Sequence, residues 1–517
     1  MPSDPVAVLR RHFGYPDFRP GQEELVRAVL DGRDALGVLP TGGGKSVCYQ
    51  VPALILGGLT VVITPLVSLM EDQVKRAGEA GLRAAHLSST QPAAARREIA
   101  DRTRAGALDI LFVSPERLEV AAFRALLGGA AVRLLAVDEA HCISEWGHDF
   151  RPAYRRIGRL QRALDCPTLA LTASATPEVR DDILDNLSLA SALIVVRSFD
   201  RPNLSWAVVP GRSLNERATA ICRDILRAPG CAIVYAPTRR AVETVRNHLA
   251  RRGIRCEAYH AGLPGAERSR VQAAFMEGCC RVVVATNAFG MGIDKADVRT
   301  VFHVQLPSTL ESYYQEAGRA GRDGQPSRCI AFHAPGDRRL AGGFIDRTHP
   351  PARELRRLHR VLRRAADEYG VSHVDDPAVV RVLGVLPRAW LEGEPEGPLA
   401  ALERIGAIRR LESRGVSGRA HAPGGATSSG TQPPPSVSMS PRVGVLLAAD
   451  FPSAVRQRRR AKAKLEAVQR FARERRCRRG ALLRYFGESA PAACGRCDRC
   501  GYDPWNQTPA FDGSIPD

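Results

Sequence analysis

Lysine is nearly missing from this sequence. Only Lys45, Lys75, Lys295, Lys462 and Lys464 stand among 74 cationic side chains, the rest being Arg. Where Arg is the default cation, a Lys inside a Gly-rich loop implies that the compact ammonium itself is needed, since a planar guanidinium is no substitute at a tight phosphate site. Long apolar runs are missing too. No stretch approaches the ~20 residues of a membrane span, and the N-terminus lacks the pattern of a signal peptide, so no membrane partner and a cytoplasmic location are expected. Acidic residues fall short, 55 against those 74, leaving a net charge of +19. A field of that sign favours polyanions, nucleic acid first; an Arg-rich background composition is the plainer reading. Aromatics are scarce at 6%, which makes the gathering of Trp146, His148, Phe150 and Tyr154 in one short stretch conspicuous.

What is present begins with size. A chain of 517 residues exceeds one hydrophobic core, so two to four domains are expected. From about residue 20 to 200, apolar β-rich runs (ALGVLP, TVVITP, DILFVSP, LLAVDEA, TLALTASAT) alternate with helical stretches. Near-continuous apolar strands separated by helices predict a parallel sheet covered on both faces, with functional loops at the strands' C-terminal ends. The alternation resumes from 205 to 340 (AIVYAPT, RCEAYHAG, RVVVATN, TVFHVQLP, RCIAFHAP), predicting a second α/β domain and a cleft between the two. Residues 350–412 read as mostly helical, with a closing helix and strand that fit a small winged-helix-like unit. Residues 415–442 are rich in Gly, Ser, Thr and Pro without periodicity, the composition of a flexible linker.

The run PTGGGKS (40–46) follows a strand and precedes a helical stretch. Glycines at 42–44 let backbone N–H groups approach phosphates, Lys45 reaches the terminal phosphates, and Ser46 is placed to hold Mg²⁺. The strict phosphate-loop pattern opens with Gly, and Leu39 stands there instead; a flexible turn is the alternative. Asp138 and Glu139 end the run LLAVDEA, where an Asp holds Mg²⁺ and a Glu polarises the attacking water. In the second domain Arg319 and Arg322 lie three residues apart, so on one helical turn both would face one site. An Arg delivered from a second domain stabilises charge on a transferring phosphoryl group only when the cleft closes. The Gly-rich segment 286–294, with Gly292 and Asp294, suits close approach to nucleotide or a nucleic-acid backbone.

Thirteen Cys without a secretory signal are not a disulfide framework. Four of them, Cys477, Cys494, Cys497 and Cys500, are spaced C-x16-C-x2-C-x2-C and can converge on one ion as an all-thiolate tetrahedral site, the structural Zn²⁺ geometry. An iron–sulfur cluster is the chemical alternative. The stretch leading in is basic, twelve Lys and Arg against two Glu over 451–480, and reads as a DNA-facing surface or a solvated helix.

The ordered set FRPGQ (18–22), PTGGGKS (40–46), TPLVSLMEDQ (64–73), SPERL (114–118), DEAH (138–141), TASAT (172–176), YHAGL (259–263), ATNAFGMGIDKADVR (285–299) and QEAGRAGRDG (315–324) resembles superfamily 2 helicases, the RecQ family in particular. The resemblance covers residues 8–340 and again 455–502, where CRRGALLRYFGE and CGRCDRC match that family's zinc-binding subdomain.

It implies an α/β fold of two tandem RecA-like parallel-sheet domains followed by a helical region and a small zinc-binding subdomain. The corresponding segments are 1–204, 205–342, 343–414, a linker 415–442, 443–505, and a disordered tail 506–517. Gln22 would read adenine, with Thr41, Gly42, Gly43, Gly44, Lys45, Ser46 and Asp138 on phosphates and metal, and Gly292 and Asp294 closing the nucleotide site. His141 and the pair Ser174 and Thr176 would link that site to the domain interface. Arg322 would be the arginine finger and Arg319 its companion. Trp146, His148, Phe150 and Arg151 would relay DNA binding to hydrolysis, stacking bases in a sequence-tolerant way, with core packing the alternative for Phe150 and Tyr154.

The implied activity is ATP-dependent, 3′–5′ DNA unwinding or translocation in repair or recombination. ATP, Mg²⁺ and Zn²⁺ would be the cofactors and single-stranded and partially duplex DNA the partner, with single-strand-binding or recombination proteins as further partners and the chain a monomer. Only 17 residues follow Cys500, so the family's usual C-terminal winged helix and helical nucleic-acid-binding domain are expected to be lacking. An RNA helicase and a non-hydrolysing, zinc-stabilised DNA-binding protein are the competing readings. The aromatic stretch and Cys cluster weigh against the first, and the intact Lys45, Asp138, Glu139 and Arg322 against the second.

Overall fold

The computed structural model describes residues 4–40, 42–65, 67–88, 91–145, 147, 150–228, 230–290, 293, 295–366, 371–373, 398–404, 407–411, 442–445 and 451–505. Thr41, Trp146, His148, Gly292, Asp294, residues 415–441 of the expected linker and the tail 506–517 therefore lie outside the described residues. The chain divides into two compact units, Met1–Asp337 with Glu466–Asp517, and Arg338–Leu465.

The first unit holds two parallel sheets. The N-terminal sheet comprises β1 (Ala35–Val38), β2 (Leu59–Ile63), β3 (Ala84–Leu87), β4 (Ile110–Val113), β5 (Val132–Val137), β6 (Thr168–Thr172) and β7 (Leu193–Val196), in the order β3-β4-β2-β5-β6-β1-β7. Every pairing is parallel. The apolar runs are continuous because successive side chains enter different cores: Leu111, Val113, Leu135 and Val137 pack on one face, while Ile110, Phe112, Leu134 and Ala136 pack on the other. A strand covered on both sides has no polar face to show.

The second sheet comprises β8 (Leu204–Pro210), β9 (Cys231–Tyr235), β10 (Glu257–Tyr259), β11 (Val282–Ala285), β12 (Val298–His303) and β13 (Ser327–His333). It is ordered β10-β11-β9-β12-β13-β8 and again all parallel. These are the two expected RecA-like domains. The zinc-binding segment packs on the second sheet's outer strand: Trp206 N–H donates to Arg496 O and Asp498 N–H to Trp206 O (3.0 Å each), so the edge of β8 is paired rather than bare.

In the second unit, helices Ala352–Arg364 and Pro398–Arg404 accompany the antiparallel strands β14 (Val371–His373), β15 (Ile408–Leu411) and β16 (Arg442–Val445). The last strand in sequence takes the middle place, β14-β16-β15. Leu355, Leu358, Leu362, Leu402 and Ile408 form the unit's core, the first three being the i, i+3, i+7 face of a helix whose other positions are largely Arg. Of this sheet the expectation for 343–414 held only the closing strand, where β15 lies, and Arg442, assigned to the linker, opens its central strand.

Candidate nucleotide and zinc sites

The loop after β1 is shaped by its glycines. Gly42 and Gly44 have φ of 81° and 68°, values that L side chains rarely adopt. A Cβ on Gly43 would meet Pro40 O at 2.8 Å, and one on Gly44 would meet Gln22 Nε2 at 2.5 Å. Gln22, buried at the start of helix Gln22–Leu30, donates from Nε2 to Gly43 O and Gly44 O (2.9 Å each) and accepts from Arg19 N–H (2.9 Å). Arg19 also bonds Gly42 O. In this structure the amide expected to read adenine bonds the loop backbone. Ser46 precedes helix Val47–Leu56, so Lys45 and Ser46 sit at a helix N-terminus, where unpaired N–H groups and the helix dipole favour anions.

Asp138 follows β5, its N–H continuing the sheet to Ile63 O (2.8 Å). Gln73 Nε2 donates to its Oδ2 (3.5 Å) and Glu139 N–H to its Oδ1 (2.9 Å). Burial and the neighbouring Glu139 carboxylate push the Asp138 carboxyl up to about 6, against the pull of Lys45. Two acids beside one ammonium form a site that gains from added positive charge. Glu139 has φ 47°, a left-handed conformation costing a non-Gly residue about 1–3 kcal/mol, and such strain gathers where the fold over-determines a functional side chain. His141, buried, places Nδ1 3.2 Å from Glu139 Oε2 and 3.0 Å from Thr172 Oγ1. Ser174 N–H reaches the same Thr172 oxygen (3.4 Å).

Ser174 Oγ in turn accepts from Gln315 Nε2 (2.9 Å), on helix Leu310–Ala317 of the second domain. A chain of polar contacts thus runs from Glu139 through His141, Thr172 and Ser174 into the segment preceding the two arginines. The helix ends at Ala317, so Arg319 and Arg322 occupy turns rather than one helical turn, and they diverge. Arg319 is buried and bonds Gly290 O within its own domain. Arg322 reaches the phosphate loop: a Cβ on Gly42 would sit 3.6 Å from its Cγ and 3.7 Å from its Cδ. Thr176 stands before helix Pro177–Asn186 without a side-chain capping bond.

In the aromatic stretch Tyr154 is fully buried and its hydroxyl donates to Asp138 O (3.1 Å); it is core, and it supports the catalytic strand end. Phe150 lies under the Arg155 guanidinium (5.3 Å). Arg151 donates from Nη1 to Pro65 O (2.8 Å), and its N–H to Cys142 O (2.9 Å), tying this stretch to the loop after β2.

The sulfurs of Cys477, Cys494, Cys497 and Cys500 lie within 4.8 Å of one another. Backbone N–H groups of Arg478, Gly480, Cys494 and Arg496 point at Cys497, Cys477, Cys500 and Cys494 (3.3–3.4 Å). Such donors stabilise thiolates, and four converging thiolates fit Zn²⁺. Arg478, fully buried, pairs with Asp498 (2.5 Å) and donates to Phe471 O (2.6 Å).

Three family models match the chain: DEAD/DEAH box helicase over residues 19–183, helicase conserved C-terminal domain over 217–324, and RecQ zinc-binding over 443–501. A Bacillus subtilis protein described as a probable ATP-dependent DNA helicase RecS is 39% identical over 363 residues, covering 70% of this chain and 73% of that one. The chain belongs to the RecQ family of superfamily 2 helicases. The ATP-dependent DNA helicase RecQ of Pasteurella multocida is 44% identical over 354 residues, 68% of this chain. The match spans little more than half (56%) of that RecQ protein's length. Among solved structures, the DUF1998 helicase MrfA bound to DNA shares the fold at TM-score 0.55 and 20% identity, covering 66% of this chain and 50% of that one. Mycobacterium smegmatis helicase Lhr bound to ssDNA and AMP-PNP does so at 0.53 and 24%, covering 75% and 57%. The zinc-binding model covers all four cysteines, so Zn²⁺ is the ion they fit, and the helicase models and relatives are those of ATP-dependent enzymes, which use ATP with Mg²⁺. Among the described residues, no helix is long and apolar enough to cross a membrane.

Sequence reasoning left Gln73, Thr172 and Gln315 unassigned although all three stand inside quoted motifs. Their roles come from partners 31 to 141 positions away, a proximity that sequence spacing does not carry.

Proposed function

We propose that this RecQ-family chain is an ATP-dependent DNA helicase or translocase moving 3′ to 5′ on single-stranded DNA, in repair or recombination. The observation carrying the reading is Arg322, from the second domain, against the phosphate loop of the first. A finger supplied across a cleft makes hydrolysis conditional on domain closure. In the proposed cycle Gly42–Gly44 N–H groups and Lys45 cradle the phosphates, Ser46 and Asp138 hold the metal, and Glu139 orients the attacking water. Mg²⁺, when bound, draws charge from the phosphate oxygens. Hydrolysis alters the Glu139–His141–Thr172–Ser174–Gln315 contacts, and the domains move against each other. Thr41, Gly292 and Asp294 are assigned to the nucleotide, and Trp146, His148, Phe150 and Arg151 to DNA and its coupling. The second unit is read as a winged-helix-like module. The proposed partners are single-stranded and partially duplex DNA, single-strand-binding or recombination proteins; the proposed state is a monomer in the cytoplasm, near the nucleoid.

ATP hydrolysis measured with no nucleic acid, with single-stranded DNA and with RNA tests this directly. Stimulation by DNA is expected; stimulation by RNA alone would make the chain an RNA helicase, and none at all would overturn both. Strand displacement on 3′-tailed but not 5′-tailed duplex is the expected polarity. Trp146→Ala is expected to lose most of the DNA stimulation, and stimulation that survives would leave the aromatic stretch a structural part.

A further inference from the structure

Between helix Leu310–Ala317 and β13 the chain carrying Arg322 runs as successive turns. Turn carbonyls shielded from water need donors, and here they come from the segment joining the two α/β domains. Arg201 donates from Nη1 to Gly318 O (3.2 Å) and from Nη2 to Ala320 O and Gly321 O (2.9 Å each). Asn203 Nδ2 donates to Gly321 O (2.8 Å) and Gln325 O (3.0 Å), and Asn203 O accepts from Ser327 N–H (3.0 Å). These bonds bracket Arg322 on both sides. Gly321 has φ 55°, and a Cβ there would meet Asn203 Nδ2 at 2.5 Å and Gln325 O at 2.7 Å, so only glycine permits the approach.

The donors are themselves fixed. Asp200 pairs with Arg479, beside the zinc ligand Cys477. Ser198 Oγ and Phe199 N–H both donate to the Glu488 carboxylate (2.7 and 2.6 Å). The Phe199 ring stacks on Phe486 (4.3 Å) and its carbonyl accepts from Tyr314 OH (2.7 Å). The interdomain segment is gripped by the zinc-binding segment on one side and grips the turn of Arg322 on the other.

We propose that Arg201 and Asn203 are positioning residues for Arg322: the interdomain segment, anchored by the zinc-binding segment, sets where that guanidinium stands over the phosphate loop. The inference rests on Arg322 acting as the finger. A planar guanidinium serves three carbonyls at once, and an ammonium cannot reproduce that fork.

The test is steady-state ATP hydrolysis by the full chain at saturating single-stranded DNA, for Arg201→Ala, Arg201→Lys, Arg322→Ala and the Arg201→Ala/Arg322→Ala double variant. Arg322→Ala is expected to lower kcat by about 10³-fold. Arg201→Ala is expected to lower it by about 10²-fold, the scale of a 1 Å misplacement, with KM for ATP little changed. The double variant is expected to be no slower than Arg322→Ala alone, because residues acting through one another are not additive. A retained kcat in Arg322→Ala would overturn the finger reading itself. A collapsed Arg322→Ala beside fast Arg201 variants would overturn only this inference, as would a double variant that loses the Arg201 factor in full again. Should Arg201→Ala not fold, Arg201→Lys, which keeps the charge and most of the stem, decides by the same comparison.

Discussion

Glu139 shows at the scale of one residue how strain, burial and function meet. Its left-handed backbone is held because Asp138 accepts its N–H and Cys142 N–H takes its carbonyl (2.9 Å each), while its carboxylate stands beside His141. Glu139→Gln keeps the shape and removes the charge proposed to orient water; kcat should fall by about 10²–10⁴-fold with nucleotide affinity kept, as hydrolysis rates and nucleotide titration would show. An unchanged kcat would take Glu139 out of the mechanism. Gly321→Ala has both a positive φ and no room against it, and should destabilise the fold by about 1–3 kcal/mol, measured by denaturant unfolding. Lys45, Asp138 and Arg322 could be singled out as candidates in the sequence because the chemistry of phosphates restricts which residue types serve. Gln22 was legible as a site residue, but its bonds to Gly43 O and Gly44 O depend on a fold that brings residue 22 to the loop.

At the scale of elements, the central strands were readable and, of the four outer ones, only β10 was. β3, β7 and β8 lie at sheet edges, where one face or end meets solvent and the burial alternates or fades. The apolar continuity that marks β2, β4 and β5 is then lost. In the second unit only the closing strand, β15, was read; β14 (Val371–His373) and β16 (Arg442–Val445) span three and four residues and show no apolar run to mark them. The cysteine segment is an element of a different kind: Leu482, Leu483, Phe486 and Cys497 join the core, and its four thiolates also converge in a set that fits an ion. Cys497→Ala removes a buried ligand sulfur that also accepts the Arg478 N–H, and should cost on the order of 4 kcal/mol. Zinc chelation should lower the thermal midpoint in the same direction, and added Zn²⁺ should restore it; a midpoint indifferent to chelators would argue against a structural ion.

For the whole molecule the net charge of +19 is a statement about partners. Exposed Arg456, Arg459, Lys462, Arg470 and Arg473 line the helix Phe451–Ala472 and its end. If such groups neutralise about five phosphates of a single strand, affinity should fall roughly 100-fold between 50 and 200 mM salt. Fluorescence anisotropy with a labelled oligonucleotide reads this, and a flat salt profile would remove phosphate contacts from the account. One further consequence concerns time. The first unit is interrupted in sequence by Arg338–Leu465, so Arg479, Glu488 and the four cysteines leave the ribosome long after the Ser198–Asp200 segment they hold. At about 5–20 residues per second, the nascent chain spends roughly 8–33 s with every proposed phosphate-binding residue up to Arg322 made and Glu488, the far end of the brace on its interdomain segment, still unsynthesised. If the interdomain segment positions Arg322 as proposed, a chain stopped at residue 337 should hydrolyse ATP more slowly than the full chain, and the order of synthesis would delay hydrolysis until Arg479 and Glu488 are in place.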